Sequence, residues 1–270
     1  MKTFTLNGQT MHYQDIGEGP VLVFGHSYLW DSAMWAPQVE VLSQSYRCIV
    51  PDFWGHGGSS SAPEATRSLK DYANDVLCLL DHLEIDNVSL IGLSSGGMWA
   101  TELVINAPAR VTSLVLMDTF VGLEPEVVHT KYFAKLAEIE EQSALTLETV
   151  DFFDERQFAT LEKDHPIRAR FRDQLLAADK EKASALAKAG RMVFGRRDMF
   201  EEAEMFALPT LIMVGAQDKM RPVLESQLMH DGITGSEFVL IPNAGHISNL
   251  EQSDLVTEKL SVFFAKHLAK

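Results

Sequence analysis

Short apolar runs alternate with longer stretches of helical periodicity through most of this sequence. Val21–Phe24, Arg47–Val50, Val88–Leu93, Val111–Met117, Thr210–Val214 and Glu237–Ile241 each read as a strand, because a brief hydrophobic run between turn formers suits burial in a sheet. Between them, Ser32–Ser43 carries Trp35, Val39 and Leu42 on one helical face. Leu69–Leu83 does the same with Leu69, Tyr72, Val76, Leu79, Leu80 and Leu83. Further helices are predicted from Ser94 towards Pro108, from Leu224 to about Met229, and from Leu250 to His267. Ahead of all these, Phe4–Leu6 and Met11–Asp15 flank Asn7-Gly8, a two-residue hairpin signal that predicts an antiparallel edge.

Strand and helix in alternation predict an α/β fold: a mostly parallel sheet, helices on both faces, right-handed crossovers. From about Phe120 to Leu208 the alternation stops. That stretch keeps helical periodicity, is dense in charge (Glu138, Glu140, Glu141, Lys180, Glu181, Lys182, Arg196, Arg197) and is interleaved with Tyr132, Phe133, Phe152, Phe153, Phe171 and Phe194. The chain thus divides into a core of residues 1–119 and 209–270 and a helical insertion of residues 120–208.

Composition narrows the class. The 270 residues are 46% hydrophobic, enough for one sizeable core. A net charge of −15 repels phosphate backbones, so nucleic acid is not an expected partner. No basic run suits an anionic membrane, no apolar run reaches the length of a membrane span, and the first residues lack a secretory apolar region. A soluble, cytoplasmic protein acting on a small molecule is the expectation; oligomeric state is not legible. Cys48 and Cys78 are expected to be two buried free thiols. No Cys/His cluster has metal-ligand spacing, and the glycine-rich loop Pro51–Ser59 lacks the Lys and the spacing of a phosphate cradle. No metal or cofactor is implied.

The chemistry centres on Gly92-Leu93-Ser94-Ser95-Gly96, a G-x-S-x-G pattern between a predicted strand and helix. A strand that turns straight into a helix needs a sharp bend; the flanking glycines remove the Cβ atoms that would clash, and Ser94 is left at the strand's carboxyl end. Open parallel sheets carry their sites on that edge. Two more loops there deliver Asp218, after Gly215-Ala216-Gln217, and His246, after Asn243-Ala244-Gly245. A serine hydroxyl is a poor nucleophile until a base takes its proton. His246 fills that role if an acceptor holds its second nitrogen, and Asp218 supplies one. Asp118 also ends a strand and competes with Asp218. Among the other histidines, His26 is read as a brace for its loop and His56 as a partner for backbone groups. The developing oxyanion needs donors, and the N–H groups of Ser95 and Tyr28 are the candidates. Trp30, Trp54, Met98, Phe120 and Ile247 are candidates to line an apolar pocket.

Together, Gly92–Gly97, Pro51–Ser59, Gly215-Ala216-Gln217-Asp218 and Asn243-Ala244-Gly245-His246 resemble the α/β-hydrolase superfamily over about Val21 to the C-terminus. Leu114–Thr119 and Gly245–Gln252 are similar to its enol-lactonase and small carboxylesterase branch. His26–Asp31 is similar to the oxyanion loop of the superfamily and of its perhydrolase-like esterases, although Ser27 stands where glycine is usual. The resemblance implies a helical cap formed by residues 120–208 and an ester- or lactone-cleaving serine hydrolase. A serine at the elbow argues against the haloalkane dehalogenase branch. Two other readings stay open: a carbon–carbon bond hydrolase, with Arg168 or Arg191 binding an acidic substrate, and a receptor-like binding protein with little turnover.

Overall fold

A computed structural model describes residues 1–268 of the chain. Eight strands form one sheet in the order β1-β2-β4-β3-β5-β6-β7-β8. The hairpin of β1 (Lys2–Leu6) and β2 (Gln9–Ile16) is the antiparallel edge, turning at Asn7 and Gly8, both with positive φ. β2 is also antiparallel to β4 (Arg47–Pro51). From β4 onward every pairing is parallel, through β3 (Val21–Gly25), β5 (Val88–Leu93), β6 (Val111–Met117), β7 (Thr210–Gly215) and β8 (Glu237–Ile241). All six residues of β5 and of β7 are buried, which is why they read as unbroken apolar runs and not as alternation.

Helices cover both faces. α1 (Ala36–Leu42) packs on the C-terminal α11 (Ser253–His267), and α2 (Leu69–His82) packs on α3 (Ser95–Asn106). Strand order reverses at β3, so the loops after β3 and β5 diverge and leave a crevice at the sheet's carboxyl edge. Between β6 and β7 lie α4 (Glu126–Gln142), α5 (Leu147–Gln157), α6 (Pro166–Leu176), α7 (Lys180–Phe194) and α8 (Phe200–Glu204), with no strand among them. α9 (Val223–Gly232) separates β7 from β8.

Three local features differ from the sequence reading. The helix predicted over Ser32–Ser43 begins as a 3₁₀ turn, Ser32–Trp35, capped by the Asp31 carboxylate on Ala33 N–H. The closing helix is broken into α10 (Ser248–Glu251) and α11 at Gln252, whose side chain turns back to Asn243 O at 2.9 Å. Cys48 is buried and free as expected, but Cys78 is exposed, on the outer face of α2. Among the described residues no helix is long and apolar enough to cross a membrane.

Candidate active site

Ser94 sits between β5 and α3 with φ 55° and ψ −117°, a conformation that costs a non-glycine residue about 1–3 kcal/mol. The turn survives because its surroundings fix it. A Cβ on Gly92 would lie 2.3 Å from Gly96 C, and one on Gly96 would lie 2.0 Å from Gly25 O, so only glycines let α3 start this close to β3 and β5. Ser94 O accepts from Thr119 Oγ1 at 2.7 Å, and Ser95 Oγ donates to His26 O at 3.1 Å. Ser94 is 5% exposed, and its Oγ makes no hydrogen bond among the described residues.

His246 is fully buried, and its Nδ1 lies 2.9 Å from Asp218 Oδ2. With the Nδ1 proton on the Asp218 side, the lone pair of Nε2 is free. Nε2 is buried and has no partner among the described residues. The other oxygen of Asp218 accepts from Met220 N–H at 2.8 Å and Arg221 N–H at 2.9 Å. Gln217 zips the two loops together: its N–H donates to Ala244 O, and its side-chain oxygen accepts from Ala244 N–H, each at 2.9 Å.

Asp118 makes a different set of bonds. Its Oδ1 accepts from Gly215 N–H at 2.7 Å and its Oδ2 from Ser248 Oγ at 2.5 Å. Burial, then the charge of Asp218, pushes its carboxyl well above the ordinary carboxylate range. Asp118 thus links β7 and the segment just after His246, while Asp218 is the carboxylate on the imidazole. Its neighbour Thr119 holds Ser94 O, so Asp118-Thr119 joins the serine turn to the histidine segment.

The loop after β3 is cross-braced. His26 Nδ1 lies 2.8 Å from Ser27 O, and its Nε2 accepts from Phe53 N–H at 2.8 Å. Conversely, His56 Nε2 accepts from Leu29 N–H at 3.0 Å while its Nδ1 faces Trp54 O. Burial lowers the pKa of both imidazoles, which therefore stay neutral braces as the sequence suggested. Asp52 adds Ser32 N–H and Gly58 N–H to the same framework. Tyr28 N–H and Ser95 N–H, the two candidate oxyanion donors, find no acceptor among the described residues. The Tyr28 hydroxyl donates to Leu186 O of α7 at 3.0 Å, and burial raises its pKa.

The candidate pocket residues lie in varied settings. Trp30 is half-buried, donates from Nε1 to the Gln157 side chain and stacks on Phe171. Met98 and Ile247 are fully buried, and Phe120 is half-buried against Phe200. Trp54 is turned onto α2, where its Nε1–H donates to Asp75 Oδ2 at 2.8 Å. Arg168 and Arg191 are not free cations: Arg168 is bidentate on buried Asp154, and Arg191 pairs with Glu140. Sequence reasoning missed Gln157 and Glu251, which bond the histidine segment, and Glu124, which joins Arg196 and Arg221. Only Glu251 carried a signal, as a carboxylate five residues past His246 in a segment already singled out.

The sequence pattern of the alpha/beta hydrolase fold family matches residues 20–253. The chain is 30% identical to 3-oxoadipate enol-lactonase 1 of Acinetobacter baylyi, over 95% of this chain and 93% of that one. It is 26% identical to the carboxylesterase YbfK of Bacillus subtilis, over 91% of this chain and 80% of that one. In structure it is similar to the enol-lactonase of Burkholderia xenovorans, with a TM-score of 0.84, 27% identity, and 98% and 100% of the two chains covered.

Proposed function

The chain belongs to the α/β-hydrolase fold family, and from that membership we propose that it hydrolyses a carboxylic ester or lactone of a small, partly apolar substrate. Its similarity to enol-lactonases and a carboxylesterase supports the bond type. The observation that carries the mechanism is the state of His246: one ring nitrogen held by buried Asp218, the other buried and unpartnered.

In this reading Ser94 Oγ attacks the carbonyl carbon and gives its proton to His246 Nε2. The Asp218 carboxylate holds the imidazole in the productive tautomer and stabilises the imidazolium. The N–H groups of Tyr28 and Ser95 take the negative charge on the carbonyl oxygen. His246 then protonates the leaving alkoxide, and the alcohol departs or, from a lactone, stays attached to the acyl group. A water gives a proton to His246 Nε2 and attacks the acyl carbon; collapse of that intermediate frees the acid and returns the proton to Ser94. Residues 120–208 form the cap. Trp30, Met98, Phe120 and Ile247 suit the apolar side of the pocket, and Trp54 backs the loop from behind.

Hydrolysis of p-nitrophenyl acetate tests this. The wild type turns over, and Ser94→Ala lowers kcat by about 10⁴-fold or more, as for loss of a triad nucleophile. Equal rates for the two proteins would remove Ser94 from the mechanism.

A further inference from the structure

Ser94 and His246 are almost without solvent contact, at 5% and 0% exposure. Cavities of about 280 Å³ and 70 Å³ flank Trp30, and neither is lined by Ser94 or His246. Access to both side chains is therefore narrow in this conformation, and a segment that loosens beside them would widen it. The segment that lies on the histidine loop is the connection between α5 and α6. Gln157 O accepts from His246 N–H at 3.0 Å. A Cβ on Gly245 would lie 2.8 Å from Ala159 N and 3.0 Å from Ala159 Cβ, so this glycine is needed for the contact. The far side of the segment reaches the oxyanion loop, where the Gln157 side chain accepts from Trp30 Nε1 and Phe158 packs edge-on to the indole.

One carboxylate holds the two loops together. Glu251 Oε1 accepts from Gly245 N–H at 2.9 Å, on the histidine side. Its Oε2 accepts from Thr160 N–H at 2.8 Å, Thr160 Oγ1 at 2.5 Å and Ala159 N–H at 3.3 Å, on the other. Four donor groups, Gly245 N–H, Ala159 N–H, Thr160 N–H and Thr160 Oγ1–H, converge on a group that lies outside every triad contact. We propose that Glu251 is a positioning residue: it latches residues 157–160, a lid over the site, to the loop that carries His246. Opening the lid costs His246 its backbone anchor, and closing it restores the base, so substrate entry and base placement are one event. This rests on the reading of His246 as the base.

Glu251→Gln is the discriminating variant, because it keeps the side chain's shape and replaces one accepting oxygen by an NH₂ that faces N–H donors. Hydrogen exchange of residues 158–162 and 244–247 reads the latch without any turnover. Both segments speed up together by about tenfold, the loss expected for a charge-assisted bond. Acceleration of one segment alone, or of neither, overturns the latch. Ester hydrolysis reads its role: the ratio of kcat/KM for p-nitrophenyl octanoate to that for the acetate rises severalfold, since a looser lid favours the bulkier ester while any loss at His246 cancels in the ratio. Thr160→Val, which touches only the lid end, moves the same ratio the same way and decides the matter should Glu251→Gln not fold. A lower kcat with an unchanged ratio in both variants would make Glu251 merely structural. Failure of the wild type to cleave any ester would sink the hydrolytic reading and leave the exchange result standing.

Discussion

The carboxyl edge of the sheet and the helices inserted between β6 and β7 are held by different means. At the sheet edge the polar side chains are fixed by main-chain groups. Asp218 takes two backbone N–H groups, Asp52 two, and the imidazoles of His26 and His56 one each. The inserted helices add ion pairs to their buried apolar contacts. Asp154 sits between Arg168 and Arg172, Glu140 holds Arg191, and Glu124 joins Arg196 to Arg221 of the acid loop. Backbone donors cannot swing away, and the neutral histidines do not titrate at physiological pH. Ion pairs form and break as units, and lose their hold when one partner is neutralised. Geometry at the sheet edge is thus set largely by main-chain bonds that do not depend on charge, whereas part of the insertion's hold does depend on it.

The sharpest break of that contrast lies at the two buried aspartates of the sheet edge. Asp218→Asn leaves the fold intact and lowers kcat for p-nitrophenyl acetate by about 10³–10⁴-fold, because an amide favours the wrong imidazole tautomer. Asp118→Asn, which touches Gly215 N–H and Ser248 Oγ but not the imidazole, costs about 1–2 kcal/mol of stability and less than about tenfold in kcat. Equal kinetic losses would mean that the two carboxylates share the role.

A smaller effect is expected where the two regions meet. Burial alone would raise the Glu124 carboxyl, but Arg221 and Arg196 bring it down to about 2 from an ordinary 4.5. A depressed carboxyl contributes stability that is present above the unfolded value and is lost as pH falls through the folded one. The window is therefore pH 4.5 to 2, and the size is about 3 kcal/mol at neutral pH. Glu124→Gln, which leaves two buried guanidiniums facing an amide, lowers the unfolding free energy measured by urea denaturation at pH 7 by about 3–5 kcal/mol. Its deficit against wild type shrinks as the pH is taken from 4.5 towards 2. A deficit that stays constant with pH would show that the pairing carries none of the junction's stability.

The same contrast explains what was legible in the chain. The strands of the sheet, the Ser94 turn and the loops bearing Asp218 and His246 announce themselves through local features: apolar runs, flanking glycines, position after a strand. That Asp218 and not Asp118 meets His246 is not a local property, since both end strands; only the packing of β7 beside β6 separates them. In the insertion the helices were legible from their period, but Arg168 and Arg191 looked available. Their carboxylate partners lie 14 and 51 residues away, on other helices, and helical periodicity carries no information across that gap. The break at Gln252 and the bonds of Glu251 have the same origin, because both depend on a loop that reaches back from elsewhere.

The most direct test of the central claim is covalent labelling of the intact protein by a fluorophosphonate, read by peptide mass spectrometry. A single adduct on Ser94, formed quickly by the wild type and slowed at least about a thousandfold in His246→Ala, is the predicted result. An adduct on another residue, or equal labelling rates in the two proteins, would contradict it.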